Sequence, residues 1–279
     1  MAFGIGIGIS PLLQNKFNGV ISSQLLLDLF PNATVAYSLR KLRSAYSGNC
    51  IRVRRSSDNT EQNIGFVGND LDTASLLTFC GAGNGFITTW YDQSTNANNS
   101  TQATAATQAQ IVASGALVTD PITSKISTLW TSDAYLLGTS LPTPKLNYQL
   151  AVFNRTADAQ RIISLGNNST SAYLGQWQTT NDLATLYGNT TITHLTSADT
   201  GCFIQTILRD GSNVVKCWNN QTALTTGTDT RTSYVFNYWG KYTTPQSSGY
   251  KQELIYWTSD QEANRIGIET NANTYWNAY

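Results

Sequence analysis

The chain has 279 residues, 17 of them basic and 17 acidic, for a formal net charge of zero; this length fits one sandwich or barrel, and no basic block is present to hold nucleic acid or an anionic membrane. Charged residues make up only 12%, so solubility rests on Thr, Ser, Asn and Gln. Aromatics at 11% suit half-buried pleated surfaces, and together these properties predict an all-β protein with a core of ample size.

The opening run, MAFGIGIGIS, lacks the charged start, long apolar run and small-residue cleavage site of a secretory signal. It is also too short to span a bilayer, so no membrane insertion is expected. As a strand it would place Phe3, Ile5, Ile7 and Ile9 on one face and glycines on the other, where a second backbone can press closely. Residues 1–24 are therefore read as a docking arm, or alternatively as an edge strand of the protein's own sandwich. Residues 25–279 are read as the domain. Next comes SQLLLDLF, a short helical turn stopped before Pro31. TVAYSLRKL fits helix or strand. CIRVRRSS alternates as a strand does, and Arg52, Arg54 and Arg55 form a solvated face near Asp58 and Glu61.

GAGNG, at 81–85, precedes a strand instead of a helix, so it reads as a tight loop and not a phosphate cradle. GFITTWYDQS is a buried strand ending in a turn, where Asp92 and Gln93 brace the chain. NANNSTQATAATQAQIV, at 96–112, is a polar surface loop entering a strand. From residue 146 the β pattern is steady: LNYQLAVFNR, QRIISLGN, AYLGQW and LATLYGN are strands. CFIQTILRDGSNVVKCWNNQ is a hairpin turning at Asp210-Gly211. YKQELIYW is a strand, and Ser259 with Glu262 reads as a capping box opening a short terminal helix. This pattern predicts a two-sheet antiparallel sandwich.

Little chemistry stands out. Cys50, Cys80, Cys202 and Cys217 are too widely spaced for a zinc site and read as buried thiols, with Cys202 and Cys217 able to meet across their hairpin. The lone His194 reads as structural. Neither a metal nor a cofactor is expected. Glycoside cleavage needs two facing carboxyl groups, for which Asp92, Asp182, Asp199, Asp210, Asp229 and Glu253 are the candidates.

Two stretches, AYSLRKLRSAYSGNCIRVRRSSDN…TFCGAGNGFITTWYDQSTNANNSTQ and IISLGNNSTSAYLG with the later GYKQELIYWTSD, resemble the catalytic domain of α-L-arabinofuranosidase B; the ending also resembles LamG-type lectin modules. The resemblance implies a concanavalin-like, jelly-roll β-sandwich. The motif Tyr91, Asp92, Gln93, Ser94 carries it most specifically.

The resemblance also marks departures. Gly85 stands where the family has a cysteine partner for Cys80, and Arg161 and Ile162 stand where it has two adjacent cysteines. Asp182 is the carboxylate in the nucleophile's stretch, and Tyr242 stands at the acid/base position, where a phenol cannot replace a tuned carboxylic acid.

YSLRKLRSAYSG and VRRSSDN also resemble domains of tailed-phage structural proteins. The expectation is accordingly a non-enzymatic virion component of fibre, tail or capsid decoration. It would be exposed on the particle, be moored through its arm to other virion proteins, form a homo-oligomer, and touch host glycans through Trp177, Asp182 and Tyr242. The alternative is an active arabinofuranosidase-like glycoside hydrolase.

Overall fold

The strands and helices follow from the sequence patterns above for most of the chain. The computed structural model describes residues 24–131, 136–143, 145–156, 172–174, 183–187, 190–195, 200–230, 234–239 and 248–279. Phe3, Ile5, Ile7 and Ile9 of the arm and the QRIISLGN segment lie outside them. A single helical turn, α1 (Leu26–Leu29), ends ahead of Pro31. TVAYSLRKL resolves as strand β1 (Val35–Ser38), buried along its whole length. Strands β2 (Ile51–Arg55) and β3 (Glu61–Ile64) pair as a hairpin. Arg52 meets Glu61 at 2.5 Å and Arg55 meets Asp58 at 2.6 Å. Arg52 and Arg55 of the basic run thus make exposed ion pairs, each contributing little to stability, while Arg54 donates to the Gln108 and Asn59 amide oxygens.

Helix α2 (Thr73–Cys80) is absent from the sequence reading. Its start signal is Asp72, whose carboxylate accepts the Ser75 N–H at 3.0 Å and the Ser75 hydroxyl at 2.6 Å, an N-cap that satisfies an otherwise unpaired donor. The strands that follow are β4 (Gly85–Trp90), β5 (Ser100–Thr101), β6 (Gln110–Ala113), β7 (Thr128–Trp130), β8 (Leu136–Thr143), β9 (Asn147–Arg155), β10 (Ala172–Leu174), β11 (Leu183–Tyr187), β12 (Thr190–Leu195), β13 (Gly201–Arg209), β14 (Val214–Asn219), β15 (Tyr234–Trp239) and β16 (Gly249–Trp257).

One antiparallel sheet runs in the order β14-β13-β9-β16-β7-β6-β4-β5-β8-β15, and β10-β11-β12 form a second. The far strand of the main sheet folds back over its middle. Trp239 of β15 lies 5.8 Å from Tyr37, 4.7 Å from Trp90 and 5.5 Å from Trp130, ring centre to ring centre. The result is the antiparallel β-sandwich that the strand pattern predicts, closed around an aromatic core.

The β13–β14 hairpin turns where predicted, but through a different residue. Asp210 Oδ1 accepts the N–H groups of Ser212 and Val214 at 2.8 and 2.9 Å, and the left-handed position is Asn213 (φ 71°), not Gly211. Cys217 pairs with Ile207, five residues from Cys202. An odd separation puts the two thiols on opposite faces of β13 and its neighbour, so the hairpin does not bring them together. All four cysteines are free and buried.

The short terminal helix is present: α3 (Arg265–Trp276) follows a 3-10 turn over Glu262–Asn264. The expected capping box is not made. Asp260 Oδ1 caps the Glu262 N–H at 2.8 Å, while the Ser259 hydroxyl accepts from the Gln261 amide. Ile266 is 51% exposed and Ile268 is buried, so the two isoleucines do sit on different faces, yet the helix continues because one of them simply faces solvent.

Strands β9, β13 and β16 are buried on both faces. Their outer face lies under α3, where Trp276 Nε1 donates to Glu253 at 3.0 Å and the Thr206 hydroxyl donates to Glu269. Their inner face looks into the sandwich.

Candidate active site

The most specific motif of the sequence is a brace. The Asp92 carboxylate accepts from Ala36 N (2.8 Å), Ser94 N (2.9 Å), the Ser94 hydroxyl (2.6 Å) and Asn98 N (2.9 Å). Gln93 Oε1 accepts the Leu42 N–H, and its Nε2 donates to the Ser38 and Arg40 carbonyls. Tyr91 donates its hydroxyl to Asn63 Oδ1 at 2.8 Å. Four donors saturate the lone pairs of Asp92 and leave it no capacity for chemistry.

Other candidate carboxylates are similarly engaged. Glu253 is fully buried and takes a two-pronged contact from Arg40, Nε at 2.8 Å and Nη2 at 3.0 Å, plus the Ser38 hydroxyl at 2.8 Å. Such a pair is costly to break and joins β1 to β16. Asp229 lies 3.1 Å from Arg209, both buried, and Asp210 serves its turn. Of the six candidates only Asp182 and Asp199 are left; they lie, like Trp177, Tyr242, Arg161 and Ile162, outside the described residues.

The described strands do fix where these segments attach. Leu183, immediately after Asp182, pairs with Leu195. Gly201, two residues after Asp199, pairs with Arg155, and Asn154 pairs with Tyr250 at the start of β16. Arg155, Gly201 and Gly249, each bordering one of the stretches 157–171, 196–199 and 240–247, therefore lie at one end of the central sheet.

The inner face at this end is built by register. Lys251, Phe153 and Phe203 form one row across β16, β9 and β13; Leu254, Ala151, Gln205 and Asn219 form the next; Tyr256, Gln149, Ile207 and Cys217 form a third. Phe153 and Phe203 lie 5.8 Å apart, and Lys251 Nζ sits 4.0 Å from the Trp130 ring centre. Burial holds the Lys251 ammonium well below the usual lysine range.

A bulge at Gln252 interrupts the β9–β16 register beside this row, a device that re-aims side chains next to active sites. Gln205 and Gln252 have both side-chain polar atoms without a protein partner, as has Gln149 at Oε1. A buried, unpaired amide costs about 1–3 kcal/mol. All three side chains are buried, and an ordered water is the usual partner of amides so placed. The sequence reading missed this floor. Its signal is the polar alternation Asn147, Gln149, Arg155 inside a strand that is otherwise apolar.

His194 is structural: it is buried, with Nδ1 2.5 Å from the Thr225 carbonyl, and burial lowers its pKa. The GAGNG run is the loop from α2 to β4, with Gly81 in the left-handed region (φ 57°). Among the described residues no group of three or more His, Cys, Asp or Glu side chains is placed to hold a metal.

Residues 31–137 match the family profile described as Alpha-L-arabinofuranosidase B, catalytic. No curated protein matches the chain. Among solved structures, an arabinofuranosidase complexed with arabinofuranosyl-alpha-1,2-xylobiose has a TM-score of 0.69 at 18% identity, over 89% of this chain and 64% of that one. A GH54 α-L-arabinofuranosidase soaked with a cyclic sulfate inhibitor has a TM-score of 0.68 at 19% identity over the same shares. The chain thus spans 64% of the length of these proteins, and at this identity what it shares with them is the fold.

These findings overturn the expectation of a non-enzymatic virion component, with its fibre, tail and decoration roles. They point to the arabinofuranosidase-like alternative, and nothing among them indicates a virion protein. The two runs that suggested a virion have ordinary places in the matched scaffold. YSLRKL is β1 and its exit, where Arg40 seats Glu253. VRRSSDN is β2 and its turn, where Arg55 holds Asp58.

Proposed function

We propose that the protein is a glycoside hydrolase of arabinofuranosidase type, which cleaves a terminal arabinofuranosyl unit from a polysaccharide or oligosaccharide. The match of residues 31–137 to the arabinofuranosidase B catalytic profile carries this reading. In this reading Asp182 is the nucleophile, as the resemblance assigns its stretch. The second carboxyl is assigned to Asp199, the remaining candidate of the six.

The two roles divide in the way retaining glycosidases require. The Asp182 carboxylate attacks the anomeric carbon while the Asp199 carboxyl gives its proton to the departing oxygen. Water, deprotonated by Asp199, then releases the sugar and restores Asp182. Asp182→Asn is expected to lower kcat/KM on 4-nitrophenyl α-L-arabinofuranoside by about 10³-fold or more, with the thermal midpoint unchanged. Wild-type hydrolysis that persists in this variant would refute the assignment.

A further inference from the structure

Away from the inner floor, residues between 43 and 103 line a surface groove made of two neighbouring parts. Two depressions, of about 450 and 410 Å³, adjoin and share Tyr91 and Asn99 as lining. Tyr91 is therefore the ridge between them. It is half-buried, and its hydroxyl is tied to Asn63, so the ring is held in place before any ligand arrives. One side offers Arg52, Glu61, Thr101 and Gln102; the other offers Arg43, Tyr46 and Asn49.

Arg52 is neutralised by Glu61, and Arg43 spends two of its donors on the Gln93 and Ser94 carbonyls. Asp92 lines the same depression as Arg43 and balances its charge, so the groove is neutral overall and rich in hydroxyl, amide and aromatic groups. A nucleic acid would need a run of uncompensated cations to track its phosphates, and the chain carries zero net charge. A sugar chain needs a rigid aromatic platform flanked by neutral hydrogen-bonding groups.

The geometry points to a second glycan-binding site here: the groove over Tyr91 holds a neutral polysaccharide chain, separately from the site of cleavage. The choice of polysaccharide rests on the proposed activity; the groove itself does not.

The test is native gel electrophoresis in soluble arabinoxylan, linear arabinan and dextran, with four forms of the full chain. The wild type is retarded by at least one of the two arabinose-bearing polymers. Tyr91→Phe, which keeps the ring but frees it from Asn63, is retarded less than the wild type and more than Tyr91→Ala. Tyr91→Ala, and Ala103→Trp, which plugs the groove from its exposed rim, lose retardation by about tenfold or more. Hydrolysis of the small aryl arabinofuranoside is the same in all four forms. If Tyr91→Ala fails to fold, Ala103→Trp decides alone. No retardation of the wild type by any polymer, or retardation unaltered by Ala103→Trp, overturns the site. Retardation without any hydrolysis leaves the groove standing and removes the proposed enzyme.

Discussion

Gly85→Cys should create a disulfide with Cys80 and stabilise the protein. A Cβ built at Gly85 lies 2.7 Å from Cys80 Sγ, 3.1 Å from Val53 Cγ1 and 3.2 Å from Val112 Cβ. The first distance is too short for two non-bonded atoms, yet close to the roughly 3 Å that separates Cβ from the far sulfur across an S–S bond. The backbone at Gly85 is not left-handed, so it accepts a side chain. Bridging 80 to 85 closes a very short loop, for which chain entropy gives about 2 kcal/mol. The tight contacts with Val53 and Val112 offset part of this, leaving about 1–2 kcal/mol and a rise of roughly 2–6 °C in thermal midpoint.

The assay compares oxidised and reduced Gly85→Cys by thermal unfolding, alongside titration of thiols in denaturant. The oxidised variant should show one thiol fewer than the four of the wild type and melt above its reduced form. Gly85→Ala should melt below wild type, because the same close contact is then a clash. An oxidised variant that titrates every thiol, or melts with its reduced form, would refute the geometry and with it the alignment that places a family cysteine at Gly85.

Glu253→Gln should cost about 3–5 kcal/mol in denaturant unfolding, because it strands the buried Arg40 guanidinium; a loss under about 1 kcal/mol would show that the pair does not hold β1 to β16. Lys251, whose folded pKa is depressed by burial, binds a proton in the unfolded chain that the folded chain refuses. Stability should therefore climb with pH from that depressed value up to the ordinary lysine range, about 10.5. Lys251→Met should raise stability at neutral pH and flatten the climb, and a slope unchanged between pH 7 and 10 would contradict it. Asp199→Asn should lose more activity on substrates with alkyl leaving groups than on 4-nitrophenyl substrates, which need little proton assistance to depart; equal losses would deny Asp199 the acid role.

The fold was legible wherever one period dominated. The alternation in CIRVRRSS, and the turn residues of CFIQTILRDGSNVVKCWNNQ, report strands correctly because side-chain period and turn chemistry agree there. Helix α2 escaped notice because TASLLTFC is short and its cap is a single Asp72, overshadowed by the glycines that follow. The terminal helix was placed one turn too early, since Ser259 and Glu262 satisfy a capping pattern that Asp260 fills in the folded chain.

The polar floor is the harder case. Gln149 and Gln205 become neighbours only through the pairing of β9 with β13, which no local window contains. The braces were more readable. Asp92 and Gln93 sit in a run dense with turn formers, and Glu253 is an isolated acid in an apolar strand that demanded a buried partner.

The most direct measurement is release of free arabinose from 4-nitrophenyl α-L-arabinofuranoside by the purified wild-type chain. The account predicts steady turnover in proportion to protein, with the sugar freed as arabinose. A preparation that is folded by its thermal transition, yet leaves the substrate and its polymeric counterparts intact, would contradict it.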